Sequence, residues 1–185
     1  MRIINPPPHF ESGTRVLLLK GRHKDGVMDP RSITRVSHDP DQYRRKLSEL
    51  IDISRPGERI YVTAGPRDVR RASFIFRQKQ LEAEQMGLTA FTYFYKSINA
   101  RWSSSLMKSE MKGCKVWLID CDTPEQYHTA KRHFDPATGK GAFTVLRQYK
   151  TKNGHHFLVE PFNRNLVCET LYPCIHQNAL ALVGY

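Results

Sequence analysis

The run WLIDCD at residues 117–122 closes an apolar stretch with two carboxylates, Asp120 and Asp122. In an extended strand, side chains two apart share a face, so the pair projects side by side while Cys121 turns away. Like charges at that spacing repel. A divalent cation resolves the repulsion, because Mg²⁺ takes carboxylate oxygens and then draws in substrate phosphates. Taken alone, the pair also reads as a helix start, with Asp122 helping Thr123 to cap the next helix and Asp120 hydrogen-bonded at the surface. The second stretch with chemical character is YKTKNGHHFLVEPF, residues 149–162. Its turn carries Lys150, Lys152, Asn153 and Gly154, which offer basic groups and open backbone to phosphate. His156 begins the next strand, where an imidazole can bind or protonate a phosphate in the same cleft. His155 points to the opposite face from His156, so at most one of them serves that cleft. The competing reading is a solvated hairpin with a packed histidine.

Periodicity and turn chemistry outline the elements that must hold these groups. RVLLLK (15–20) reads as a short strand, and 21–40, broken by glycine and proline, as mostly loop. Residues 41–54 set Tyr43, Leu47, Leu50 and Ile51 at helical spacing behind a capping aspartate. PGERIYVTA gives a turn and a strand; GPRDV then opens the longest helix, about 66–86, with Gly87 as its stop. The aromatic-rich stretch 88–102 is compatible with strand or buried helix. KVWLID is a strand, TPEQYHTAKRHF a helix capped by Thr123 with Pro124 at its first position, and FDPATGKG a turn. AFTVLRQYK and HHFLVEPF form two strands joined by TKNG, where Asn153-Gly154 is a hairpin signal, and ALALVGY supplies a last strand. Pro6, Pro7 and Pro8 send the opening residues along the surface. The expected architecture is α+β: one domain over 1–185 with a mixed, mostly antiparallel sheet and helices packed on it, residues 1–40 being extended and loop-rich.

The 29 lysines and arginines against 18 acids leave a net charge of +11, a field that attracts polyanions. Nucleic acid and nucleotide phosphate are therefore the expected partners; a charge that serves solubility alone is the plainer alternative. Arg67, Arg70 and Arg71, together with Arg77 and Lys79, lie on the predicted 66–86 helix. Arg67 and Arg70 fall near its start, where a phosphate would sit, although a solvated face explains the run as well. Arg44 and Arg45 add to the cations available to track a nucleic-acid backbone. Tyr93, Tyr95 and Trp102 suit base stacking or core packing, the latter being the commoner use. The four cysteines form no C-x-x-C pair and suit free buried thiols in a reducing compartment; Cys168, Cys174 and His176 lack a common zinc spacing. No run approaches the roughly 20 apolar residues of a membrane span, and MRIINPPPHF has no signal-peptide core, so a cytoplasmic protein with no membrane partner is expected.

Jointly the motifs are more specific than either alone. A strand ending in D-x-D, one helix, a strand, a tight basic turn and a strand starting with G-x-H resembles the catalytic core of the archaeo-eukaryotic primase superfamily, the primase-polymerases. The resemblance covers roughly residues 115–162. It implies an RRM-like core in which Leu118, Ile119, Asp120, Cys121 and Asp122 form the metal-binding motif, with Mg²⁺ or Mn²⁺ on Asp120 and Asp122. It also implies that Gly154, His155 and His156 form the motif that contacts the incoming nucleotide, His156 with Lys150, Lys152 and Asn153 facing its phosphates. The family's third motif, an acid after a hydrophobic residue, has no clear counterpart: Glu160 and Glu169 are the only carboxylates after His156. A compact phage or mobile-element enzyme of DNA replication is the natural comparison. The expected function is a metal-dependent nucleotidyltransferase acting on nucleoside triphosphates and DNA or RNA. The alternatives are a nucleic-acid-binding protein without catalysis on the same fold, and a metal-dependent nuclease using Asp120, Asp122, Glu160 and His156.

Overall fold

The computed structural model describes residues 13–135, 137–151, 153–177 and 180–184, and only the backbone of Lys24. The expected surface course of Pro6–Pro8 and the expected phosphate contact of Lys152 lie outside the described residues. Strands β1 (Arg15–Lys20), β2 (Ser32–Ser37) and β3 (Arg59–Thr63) enclose helix α1 (Pro40–Asp52) in the chain order. Three helices come next, α2 (Val69–Gln85), α3 (Leu88–Lys96) and α4 (Ile98–Met107). The C-terminal part runs β4 (Trp117–Cys121), α5 (Pro124–Lys131), β5 (Val145–Lys150), β6 (His155–Val159), β7 (Ile175–His176) and β8 (Leu180–Gly184).

The fold is α+β. Its described strands divide between two four-stranded sheets, ordered β2-β1-β3-β8 and β5-β6-β4-β7, rather than joining one, and every pairing among them is antiparallel. The chain's last strand returns to β3 instead of joining its sequence neighbours, so the N-terminal sheet is completed by the C-terminus. The largest buried cluster spans both sheets and α1: Leu17, Leu19, Ile60, Val62, Ala181 and Val183 meet Leu118, Tyr149 and Leu158, with Tyr43, Leu47 and Leu50 from the helix. On the other face of the second sheet, Ile119, Phe157 and Val159 pack with Ala130, Phe134, Phe143 and Leu171. Strand alternation explains the division, since Leu118 and Asp120 share one face of β4 while Ile119 and Cys121 share the other.

Several local expectations need correction. Residues 32–37, expected as loop, form β2, because the β-branched run Ile33, Thr34, Val36 finds a full antiparallel partner in β1. The longest helix begins at Val69 rather than near Pro66, since the Asp68 carboxylate accepts the Arg71 N–H and caps it there. Its stop is as expected: Gly87 takes φ +99, a left-handed conformation natural to glycine. The aromatic stretch is helical, with Phe94 fully buried against Phe76 at 5.2 Å and Trp102 edge-on to Phe76 at 5.7 Å. Tyr93 and Tyr95 are nevertheless 65% and 44% exposed, so core packing is not their use. All four cysteines are free; Cys121 and Cys174 are buried as expected, whereas Cys114 and Cys168 are exposed.

The loops that enter β2 and β3 are tied together by Glu58, whose side chain is fully buried. It accepts from Arg31 Nε at 2.7 Å and from the Arg55 N–H at 2.8 Å. The Arg31 hydrogen bond holds the Glu58 carboxyl below its usual range, against burial, which pushes the other way. A folded-state pKa below the unfolded one contributes stability that is present above the unfolded value and lost as pH falls through the folded one. The urea-midpoint gap between wild type and Glu58→Gln should therefore be widest near neutrality and narrow below about pH 4. A gap that stays constant with pH would show that the charge is not what ties these loops.

Candidate active-site cleft

Asp120 sits one residue before the end of β4, directly opposite His156 on β6, which is in turn opposite Tyr149 on β5. The three side chains form a row across one face of the sheet. His156 Nε2 lies 3.0 Å from Asp120 Oδ1, and His156 Nδ1 lies 3.1 Å from the Tyr149 hydroxyl. A neutral imidazole protonated on Nε2 satisfies both, donating to the carboxylate and accepting from the phenol. Burial holds the Tyr149 hydroxyl well above its usual pKa, so it stays protonated and able to donate. Burial would push Asp120 up. The hydrogen bond from His156, with His176 and Arg59 adding to it, outweighs that and holds its carboxyl below the usual value. His156 is buried and Asp120 is about one-third exposed, so the carboxylate meets the cleft and the imidazole backs it.

A cleft of about 360 Å³ opens in front of this row. Leu118, Asp120, Asp122, Thr151, Asn153 and His156 line it from the second sheet and its hairpin. Arg22, Asp25, Arg59, Tyr61, Leu180 and Leu182 line it from the first. Its volume falls within the range of small-ligand sites. The two motifs thus converge, and the reason is one missing side chain. A Cβ on Gly154 would stand 1.9 Å from the Cys121 carbonyl oxygen and 3.0 Å from Asp122 Cα. Only glycine lets the 151–154 turn lie against the end of β4.

That close approach revises the expected role of Gly154. Its N–H donates to Thr151 Oγ1 at 3.0 Å and its carbonyl accepts from the Thr151 N–H at 2.8 Å, so its backbone closes the turn instead of facing a phosphate. Lys150 also moves out of the site. It pairs with His155 across the hairpin, and the alternation that separates His155 from His156 puts Lys150 on the far face, away from the cleft. There His155 stacks on Tyr127 at 4.1 Å, and burial, then Lys150 and Lys131, hold its pKa below the usual value. Asn153, by contrast, stands exposed at the cleft rim.

The arginines divide in the same way. Arg67 is 1% exposed, with its backbone bridged to Thr14 and Glu110 and its guanidinium donating to the Met107 carbonyl, so it belongs to the interior and not to a phosphate surface. It precedes the helix, in a segment that turns inward before Val69. Arg44, Arg45, Arg70 and Arg71 are exposed, but none of them lines the cleft; Arg44 pairs with Asp41 at 2.5 Å. Among the described residues the cations that line the cleft are Arg22 and Arg59, which nothing local in the sequence singles out.

The acids are equally selective. Neither Glu160 nor Glu169 lines the cleft; among the described residues the third carboxylate there is Asp25. Among the described residues no three His, Cys, Asp or Glu side chains gather into a metal-binding group, and the Cys168–Cys174–His176 combination is not one. Burial pushes the Cys121 thiol up to about 12, which keeps it protonated and inert on the far face of β4. No protein-family model, curated protein or solved structure matches this chain.

Gly154→Ala should lower stability by about 1–3 kcal/mol through overpacking and separate the hairpin from β4. In ¹⁵N imidazole spectra the hydrogen-bonded Nε2 proton of His156 should then be lost. Retention of that signal at wild-type stability would show that the turn does not need the close approach.

Proposed function

We propose that the protein is a metal-dependent nucleotidyltransferase of primase-polymerase type, acting on nucleoside triphosphates and nucleic acid. One observation carries this reading: Asp120 and His156, one from each motif, meet at 3.0 Å on the wall of a cleft that Asp122 and Asn153 also line. Two carboxylates without a third ligand suit a Mg²⁺ or Mn²⁺ ion that relies on water and substrate phosphates for the rest of its shell. When bound, the ion would supply charge neutralisation for a triphosphate and activation of a 3′-hydroxyl.

The chain's own contribution is orientation. His156 fixes one oxygen of Asp120 and leaves the other for the ion; Tyr149 fixes the imidazole from behind. Because both ring nitrogens are engaged, His156 acts through Asp120 and reaches a phosphate only by releasing a partner. The exposed stripe Arg70, Phe74, Arg77 and Leu81 on α2 combines cations with apolar side chains at helical spacing, a composition suited to a nucleic-acid strand. No helix among the described residues is long and apolar enough to cross a membrane. A cytoplasmic setting belongs to the proposal and is supported by the four free cysteines, which suit a reducing compartment.

The absence of Glu160 and Glu169 from the cleft favours a second reading, a nucleic-acid-binding protein that does not catalyse. A labelled oligonucleotide with Mn²⁺ and nucleotides separates the two. Extension supports the transferase, a salt-sensitive mobility shift alone supports the binder, and shortening points to the nuclease. Asp120→Asn with Asp122→Asn should reduce extension on the order of 10³-fold while leaving oligonucleotide binding intact. An unchanged rate would remove the metal reading. His156→Ala should raise the Mn²⁺ concentration needed for half-maximal rate by roughly 10–100-fold, as expected for a group that orients a ligand.

A further inference from the structure

The wall facing Asp120 and Asp122 carries a charge cluster that neither motif accounts for. Asp25, at the end of the short 3₁₀ turn His23–Asp25, accepts from Arg22 Nε at 2.7 Å through one oxygen and from Arg59 Nη2 at 2.5 Å through the other. All three side chains line the cleft. The Asp25 side chain is 10% exposed, and those of Arg22 and Arg59 are 28% and 18% exposed. Taking three charges this far out of water is unfavourable unless they are paired, and one carboxylate between two guanidiniums leaves an excess positive charge facing the cavity. Each guanidinium has five N–H donors, and the contacts with Asp25 use only part of that capacity. Arg59 lines the same cleft as Asp120 and Asp122, so the two walls address one space.

We infer that Arg22 and Arg59 form a polyphosphate subsite, with Asp25 as an internal anion that holds the two forks aligned and competes with the ligand. The inference rests on the nucleotidyltransferase reading for the identity of the ligand, a nucleoside triphosphate, but not for the subsite itself. Arginine pairs suit it because the planar fork matches two phosphate oxygens at once, which a lysine does not. The cleft then has a division of labour: carboxylates on one wall for a cation, guanidiniums on the other for the phosphate tail. Lys150, on the far face of its sheet, takes no part.

The plainer role for this cluster is a clasp that ties the 3₁₀ turn to β3. The two roles differ at Asp25. A clasp fails when Asp25 is neutralised, whereas a subsite loses a competitor and gains net positive charge. The test is calorimetric titration of the full chain with inorganic tripolyphosphate, in EDTA and again in Mg²⁺. Arg22→Gln and Arg59→Gln should each weaken binding by about 10–100-fold, the value of one charge-assisted contact. Arg22→Lys and Arg59→Lys, which keep the charge and lose the fork, should weaken it less. Asp25→Asn should bind at least as tightly as wild type. The proposal is overturned if wild type does not bind tripolyphosphate, if the glutamine variants bind as wild type does, or if Asp25→Asn binds as weakly as they do. Should a glutamine variant fail to fold, the lysine and Asp25→Asn results decide the matter. Oligonucleotide extension that survives a negative result would leave the transferase reading standing. Tripolyphosphate binding without extension would remove that reading alone.

Discussion

The contact between the 151–154 turn and the end of β4 governs the geometry of the cleft, because the carbonyl of Cys121 occupies the space where a side chain on residue 154 would have to stand. With that side chain absent, the hairpin settles in the register that sets His156 against Asp120 and Tyr149 against His156. A one-residue slip would turn every side chain of β6 over, bringing His155 to the cleft and sending His156 into the apolar layer under α5. The glycine therefore acts through packing, and its consequence is electrostatic: a carboxylate held by a histidine that a phenol holds in turn.

Around this row the protein separates charge. Asp120 and Asp122 stand on the second sheet; Arg22 and Arg59, bridged by Asp25, stand on the first. The shared core of leucine, isoleucine and valine side chains between the sheets keeps the two walls in a fixed relation. Because the first sheet is closed by β8, from the chain's end, the cleft depends on residues from nearly the whole described length. Glu58 extends the arrangement outward by tying together the loops that carry Arg31 and Arg55, next to the turn that bears Asp25.

A cleft of mixed sign suits a ligand of mixed demand, one that brings a cation to the acids and phosphate oxygens to the guanidiniums. The excess positive charge of the chain lies elsewhere, on exposed faces such as that of α2, where arginines alternate with Phe74 and Leu81. On the proposed reading, long-range attraction of a polyanion and the chemistry of the cleft fall on different surfaces.

Much of this was legible in the residues alone. The strands at 15–20, 59–63, 117–121, 145–150 and 155–159, the hairpin joining the last two, and the helices at 40–52 and 124–131 arise from periodicity and turn chemistry, which are local properties, although Asp39 and not the expected Asp41 caps the first helix. So does the pairing of Asp120 with Asp122 on one face and the opposition of His155 to His156. The same alternation also assigns Lys150 to the face of His155. What required the folded chain was long-range. Whether an arginine lies in water, in the core like Arg67, or in a cleft like Arg22 and Arg59 depends on which distant surface covers it. A guanidinium's own sequence neighbours carry no record of that surface. The two-sheet arrangement is decided likewise, by β8 returning to β3, because backbone hydrogen bonds between strands are indifferent to sequence distance and the burial they achieve is set by tertiary packing alone.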